Sequence, residues 1–188
     1  MDPARRRATY EDLLQVSDLL IAEIIDGELI TSPRPASPHA YAASAIMQDL
    51  GPFARRRGGG DSPGGWWILF EPELHLGADI LVPDLAGWRR EHLPVLENVA
   101  YFQQAPDWAC EVISPSTGRL DRVRKMAIYA REQVSHLWLV EPLLYTLEVY
   151  RLEGLRWVVA STHGGAEMVR AEPFETVELD ISRWWLES

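Results

Sequence analysis

The strongest constraint on the fold is the segment at residues 107–142, "DWACEVISPSTGRLDRVRKMAIYAREQVSHLWLVEP". It begins with an apolar run of strand length, continues as an amphipathic helix and ends in a second apolar strand. Upstream, a predicted helix is followed by two further strand-like runs, "WWILFEPELHL" and "ADILVPDLAGW", with Gly77 between them. The order helix, three strands, helix, strand predicts an α/β or α+β fold with a mixed sheet.

Two hairpins are predicted to flank this core. In "AEIIDGELITSP" the pair Asp26-Gly27 separates two apolar runs, which is a strong signal for a tight β-turn. Near the other end, "LYTLEVYRLEGLRWVVAST" has the pattern of two strands that turn near Glu153-Gly154. We therefore expect one β-hairpin before the core and another after it.

Two helices are predicted in the N-terminal part of the chain. Thr9 is placed to cap a short helix through Leu14, with Asp12 at the position of the acidic partner in a capping box. A longer helix begins at Ser37-Pro38, where proline occupies a favoured first position, and is predicted to run to about Arg57. The breaker-rich stretch at residues 55–65 is interpreted as a connection rather than a domain boundary.

Composition limits the class of protein. The 188 residues are enough for one domain, predicted to span 1–188 with its core at about 38–142. A formal charge of −10 argues against coating nucleic acid non-specifically, although basic residues cluster at 5–7 and 55–57. The lone Cys110 excludes an intramolecular disulfide, and no run approaches the length of a membrane span. These features predict a cytoplasmic protein that does not contact a membrane.

Two carboxylates fall on neighbouring strands of the predicted core. Asp84 follows Pro83 near the end of one strand, and Glu111 lies inside the next, with Ala109 and Ile113 on its face. A charged side chain in an apolar strand costs several kcal/mol unless it is paired or binds a cation. If the strands pair in register, the two carboxylates form a hard oxygen site suited to Mg²⁺ or Mn²⁺. Taken alone, Asp84 is better interpreted as an ordinary strand-end or turn aspartate after proline.

The helix that follows carries Asp121 and Lys125 four residues apart. On spacing alone the favoured interpretation is a surface ion pair worth about half a kcal/mol or less. Their stripe borders the apolar face of the helix, so Lys125 would also be able to lean towards Glu111.

Several segments of the sequence resemble those of a known family. The segments "EIIDGELITSPRPASPHAYAASAIMQDL", "VPDLAGW" and residues 110–142 are similar to the Uma-type restriction endonuclease family, within the PD-(D/E)XK nuclease superfamily. The match covers about residues 9–150. It implies a restriction-endonuclease-like core, a mixed central sheet flanked by helices. In the superfamily the lysine stands two residues after the acidic residue, where this chain has Ile113. In the resembling family the following helix supplies it, and Lys125 occupies that position.

The resemblance also implies roles for particular residues. Asp84, Glu111 and the carbonyl of Val112 would bind Mg²⁺ or Mn²⁺, and Lys125 would act with them in hydrolysing a phosphodiester, expected to be in DNA. Three further positions would support these groups: Glu23, His39 and Asp121. For Glu23 the alternative is a solvated strand-end residue, and for His39 a local hydrogen bond at a helix start.

The same resemblance implies a homodimer, because cutting both strands of DNA takes two sites. Two other functions stay open at this stage. One is a catalytically silent protein-binding module, and the other is a phosphodiesterase for small nucleotides, which suits the acidic composition. The sequence does not indicate a recognition sequence, nor does it separate DNA from RNA.

Overall fold

The computed structural model describes residues 6–54 and 63–186. Its strands are β1 (Leu20–Ile25), β2 (Glu28–Pro33), β3 (Trp66–Phe70), β4 (Leu74–Leu76), β5 (Asp79–Leu81), β6 (Leu85–Arg89), β7 (Trp108–Val112), β8 (His136–Glu141), β9 (Thr146–Glu153), β10 (Arg156–Gly164), β11 (Met168–Val169) and β12 (Leu179–Asp180). Its helices are α1 (Tyr10–Leu13), α2 (Ser37–Asp49), α3 (Gly51–Ala54), α4 (Gly118–Leu120), α5 (Met126–Arg131), a π segment (Asp121–Lys125) and a 3₁₀ turn (Ile181–Trp184).

The main sheet has six strands in the order β10-β9-β8-β7-β6-β3. The central strands β7 and β8 are parallel, and the other neighbouring strands pair antiparallel. A parallel pair needs a long crossover, which residues 113–135 provide through the helical segment from α4 to α5. The predicted mixed sheet is therefore confirmed.

A second sheet of four strands has the order β2-β1-β5-β4. It corrects one prediction, because each of the two runs expected as a single long strand is divided between the two sheets. The breaks occur at Pro72 and at Pro83, residues that lack a backbone N–H for a sheet ladder. Glu71, beside the first break, has a positive φ of 43°. The outer halves β3 and β6 stay in the main sheet, while β4 and β5 pair with the N-terminal hairpin.

Both predicted hairpins are present. Strands β1 and β2 pair around Asp26 and Gly27, whose φ angles of 55° and 82° are the two positive values that a tight type I′ turn requires. Strands β9 and β10 form the second hairpin, which makes β10 an edge of the main sheet. The capping box of α1 is also present, because Thr9 and Asp12 each accept a hydrogen bond from the other's backbone N–H.

The long N-terminal helix is shorter than predicted. It ends at Asp49 rather than near Arg57, and a separate short helix follows at Gly51–Ala54. Pro52 explains the break, because it has no backbone N–H to donate to a carbonyl one turn earlier in the helix. Residues 55–62 of the connection predicted at 55–65, with Arg57 itself, lie outside the described residues.

The main sheet separates two apolar layers. On one face, Trp108, Cys110 and Val112 of β7 pack in the larger cluster, beneath α2 and the C-terminal Trp184. On the other face, Ala109 and Ile113 pack against α5. The predicted alternation along β7 is thus confirmed, and it places Glu111 on the α5 side of the sheet. Among the described helices, none is long and apolar enough to cross a membrane.

Candidate active site

The pairing of β6 with β7 brings Asp84 next to Glu111. Leu85 lies opposite Cys110 and Ala86 opposite Ala109, so the same register continued by one residue sets Asp84 against Glu111. Asp84 lies in the bend just before β6, between the two sheets. Because Asp84 lies in this bend, its side chain can turn towards β7 and bond to the backbone there.

Asp84 is held by two contacts. Its Oδ2 accepts a hydrogen bond of 2.7 Å from the backbone N–H of Val112, where the next ladder bond between the strands would otherwise be. Its Oδ1 lies 2.5 Å from Nε2 of His39, in the first turn of α2. Three of the residues predicted for the site, from three elements, are therefore in direct contact.

The side chain of Lys125 is buried inside the site rather than exposed on the helix surface. Its side chain is 5% exposed, and its Nζ lies 2.9 Å from Glu23, 3.2 Å from Glu111 and 3.6 Å from Asp121. It belongs to the π segment of the helix, where the widened turn carries both Asp121 and Lys125 inward. The expected surface ion pair between Asp121 and Lys125 is therefore wrong in its location, because the pair is buried within a group of carboxylates.

Tyr129 is a site residue that the sequence did not reveal. Its hydroxyl donates a hydrogen bond of 2.5 Å to Oε1 of Glu111, and its side chain is fully buried. It follows Lys125 by four residues and so continues the stripe begun by Asp121. That spacing was a usable signal, but a tyrosine on an apolar helix face is ordinarily interpreted as core.

The charges of this cluster are strongly coupled. Burial lowers the pKa of Lys125, but the attraction of Glu111, Glu23 and Asp121 outweighs it, so the pKa of the ammonium lies well above its ordinary value. Burial raises the pKa of Glu111 well above its usual range, although Lys125 opposes this. Burial likewise raises the pKa of Asp121. One ammonium cannot fully compensate the buried carboxylates around it, so Glu111 and Asp121 retain their protons to higher pH than isolated carboxylates do.

Arg124 on the same helical segment holds the N-terminal hairpin in place. Arg124 donates to Asp26 at 2.9 Å, to Glu28 at 2.8 Å and to the carbonyl of Ile25 at 2.6 Å. These bonds fix the turn of the hairpin that carries Glu23. The backbone N–H of Val82 donates to Glu23 at 2.9 Å, so that carboxylate is anchored from a second direction.

All of the predicted site residues line one pocket of about 250 Å³. The pocket opens between the end of the N-terminal hairpin and the loop that follows β7. Its lining comprises Ile21, Glu23, Ser32, Pro33, Arg34, Pro35, Ala36, His39, Val82, Asp84, Glu111, Val112, Ser114, Pro115, Ser116, Thr117, Asp121 and Lys125. The structure therefore brings the seven predicted residues together, while their chemical roles stay predictions.

The donors in this pocket are of the hard oxygen type. Asp84 and Glu111 supply carboxylates, and Val112 is on the edge of β7 that faces Asp84. Within the described residues, no group of three or more His, Cys, Asp or Glu side chains is arranged to hold a metal ion. The predicted ligand set differs from such a group, because it combines two carboxylates with a backbone carbonyl.

The mixed sheet, with an acidic pocket and a buried lysine beside its central strands, belongs to the class of restriction-endonuclease-like folds. The chain belongs to the Uma2 family, described as "Putative restriction endonuclease", whose model matches residues 7–182. The predicted family is therefore confirmed.

The fold is similar to a crystal structure of "a putative nuclease belonging to DUF820" from Anabaena variabilis ATCC 29413. The TM-score is 0.73 at 20% sequence identity, and the match covers 95% of this chain and 97% of that one. At this identity the likeness shows the fold alone. A comparison with curated proteins finds no match to this chain.

Proposed function

We propose that this protein is a metal-dependent endonuclease that hydrolyses phosphodiester bonds in DNA. The observation that carries the proposal is the meeting of Asp84, Glu111 and Lys125, from a strand junction, a strand and a helix, in one pocket. Family membership supports it, because the family description names a restriction endonuclease. The residue types also fit, since two carboxylates and an ammonium are suited to binding a cation and a phosphate.

The donor set fits Mg²⁺ or Mn²⁺, held by Asp84, Glu111 and the carbonyl of Val112. Each carboxylate oxygen of Asp84 and Glu111 has a protein partner, but each has two lone pairs and so retains capacity for a ligand. Four carboxylates line the pocket against one buried ammonium, which favours binding of a further positive charge. A bound ion would polarise the phosphate and lower the pKa of a coordinated water.

The protein's own groups would have separate tasks. Lys125, charged because of the carboxylates around it, would stabilise negative charge that develops on the phosphate or orient the attacking water. His39 would fix the orientation of Asp84, and Tyr129 that of Glu111. Glu23 and Asp121 would hold the ammonium in position, so they would act through Lys125.

One observation favours a second candidate, a catalytically silent binding module. Lys125 is in contact with three carboxylates, so its ammonium already supplies a positive charge beside Glu111, one of the predicted metal ligands. If that ion-paired state persists in the presence of Mg²⁺, the pocket would bind no cation and cut no DNA. The two candidates therefore differ in whether the pocket takes up a divalent ion.

The test is cleavage of supercoiled plasmid and of single-stranded DNA in Mg²⁺ or Mn²⁺. Wild type is compared with Glu111→Gln and with Glu97→Gln, an exposed carboxylate outside the pocket. We expect cleavage by wild type and Glu97→Gln, and none by Glu111→Gln. Equal cleavage by all three proteins would point to a contaminating nuclease and contradict the proposed site.

A chromogenic phosphodiester in the same assay addresses the small-nucleotide alternative. Turnover of the small diester without cleavage of any DNA would replace the endonuclease with a phosphodiesterase that uses the same pocket. Absence of both activities, with no Mn²⁺ binding by calorimetry, would favour the silent binding module.

A further inference from the structure

The groups that would carry the chemistry are almost completely buried. Glu23, Glu111, Asp121 and Lys125 are 3–4% exposed, and Asp84 is 8% exposed. The pocket above them has a volume of about 250 Å³, below the roughly 300–1,000 Å³ of pockets that enclose a drug-sized ligand. A scissile phosphate must therefore enter a small, deep space to reach Lys125 or Glu111.

The mouth of the pocket is formed by two exposed segments. One is the end of β2 and the stretch that follows it, with Pro33 and Pro35, and the other is the loop after β7, with Pro115 and Ser116. Proline fixes the backbone φ angle in both segments, so the mouth has limited freedom to widen. Arg34 reinforces one side, because it donates to Glu71 at 2.9 Å and to the carbonyl of Asp18 at 3.2 Å.

The described residues that line the pocket provide few basic side chains that could bind the phosphates of double-stranded DNA. Of the described residues that line the pocket, Arg34 is the only basic one with an exposed side chain, since Lys125 is buried. A duplex has one phosphate charge per about 1.7 Å of its axis and is normally bound by several Lys and Arg. It is also stiff over about 150 base pairs, so it does not bend one phosphate into a narrow pocket. A single strand is flexible and does so readily.

We infer that the substrate of this site is single-stranded or locally unpaired DNA, one phosphate of which enters the pocket between the two proline-bearing segments. The inference rests on the proposed nuclease function and adds the form of the substrate. The described part of the lining contains no Phe, Tyr or Trp on which a base could stack, so the site contacts the backbone and has little sequence preference. One site suffices to cut one strand, so cleavage does not require the homodimer that was predicted from the sequence.

The experiment presents one labelled oligonucleotide in three forms: single-stranded, fully paired, and paired with a central unpaired loop. Wild type and Glu111→Gln are assayed with Mg²⁺ and with Mn²⁺. We expect the single strand and the loop to be cut at least about tenfold faster than the duplex, a difference of about 1.4 kcal/mol in activation free energy. Glu111→Gln should cut none of them. Cleavage of the duplex at an equal or higher rate, abolished by Glu111→Gln, would overturn the inference and leave the nuclease function standing.

If none of the three oligonucleotide forms is cut, a binding measurement distinguishes the inference about the form of the substrate from the proposed hydrolysis. Fluorescence anisotropy of the same oligonucleotides with Glu111→Gln is expected to show at least about tenfold tighter binding of the single strand. Equal binding of the duplex overturns the inference by itself, whereas preferential binding of the single strand without cleavage overturns only the proposed hydrolysis.

A rim variant locates the strand. Ser116→Glu adds a negative charge at the exposed mouth of the pocket, and Ser17→Glu adds one at an exposed position outside it. We expect Ser116→Glu to lower cleavage and binding of the single strand at least about threefold, because the added carboxylate repels its phosphates, and Ser17→Glu to leave both unchanged. Full activity of Ser116→Glu would contradict entry of the strand through this mouth.

Discussion

Tyr129 donates its hydroxyl hydrogen to Oε1 of Glu111, the carboxylate oxygen that Lys125 does not contact. The glutamate is thus held from both sides, by a neutral donor at 2.5 Å and by an ammonium at 3.2 Å. Because burial disfavours the charged form of Glu111, these two donors are what keep the carboxylate oriented in an apolar layer. The first prediction follows from this pair.

Tyr129→Phe removes the neutral donor and leaves Oε1 of Glu111 buried without it. We expect the free energy of unfolding in urea to fall by about 1–3 kcal/mol, the usual cost of a buried unpaired polar group. As a positioning residue, Tyr129 should affect kcat of DNA cleavage while KM stays within about twofold. Tyr150→Phe is the matched control, because Tyr150 donates to the half-exposed Glu148 at the same distance of 2.5 Å. A larger loss in Tyr150→Phe than in Tyr129→Phe would contradict the assignment.

Lys125→Met removes the one ammonium shared by Glu23, Glu111 and Asp121. Breaking a buried ion pair on one side costs about 3–5 kcal/mol, so we expect a loss of that order in the free energy of unfolding at neutral pH. DNA cleavage should vanish as well. Arg122→Met is the control, because its pair with Glu148 is solvent-accessible and should cost at most about 1 kcal/mol. Equal losses in the two variants would show that the burial of Lys125 has little energetic effect.

Arg124→Ala should release the N-terminal hairpin from the helix. The variant loses three hydrogen bonds to the turn at residues 25–28, of which two are ion pairs with exposed carboxylates. We expect a loss of about 1 kcal/mol in stability and faster amide hydrogen exchange in β1 and β2. Exchange in β8 should not change, which serves as the internal control. Unaltered exchange in β1 would mean that the strand is held by its own sheet rather than by Arg124.

The pH dependence of stability should contain a contribution from His136. Burial lowers the pKa of this imidazole below its ordinary value, against the opposing attraction of Glu172. The unfolded chain therefore binds the proton at a higher pH than the folded chain, and stability falls as the pH drops below about 6.5. His136→Gln should flatten the decline in the free energy of unfolding between about pH 7 and pH 5 relative to wild type. Identical slopes for the two proteins would refute this assignment.

The periodicity of strands and helices was sufficient to predict on which faces the main site residues lie. The strand period places Glu111 on the opposite face from Cys110, and the helix period places Lys125 on the same stripe as Asp121. Both patterns depend only on residues that are close in sequence, so they can be recognised without knowing how the sheets dock. The turn at Asp26-Gly27 is local in the same sense, since its two positive φ angles are a property of the dipeptide.

Contacts between segments far apart in the sequence could not be predicted from these local patterns. Glu23 reaches Lys125 only because the hairpin docks across 100 residues of chain, and the sequence alone was equally consistent with a solvated glutamate. The breaks at Pro72 and Pro83 were not predicted, because each run was interpreted as one strand, and nothing local indicates that its halves join different sheets. Tyr129 was overlooked because its hydroxyl partner lies on a strand rather than on its own helix.

The division of the chain between two sheets has a consequence for synthesis of the protein. Glu23 comes from the four-stranded sheet, Glu111 from the six-stranded sheet, and Asp84 from the bend between them. A growing polypeptide that has emerged only as far as Asp84 lacks both Glu111 and Lys125, and the parallel strand β8 that supports Glu111 emerges later still. Every group of the pocket is therefore in place only after residue 141 has been added and both sheets have closed on each other, so nascent or partly unfolded chains lack the complete pocket.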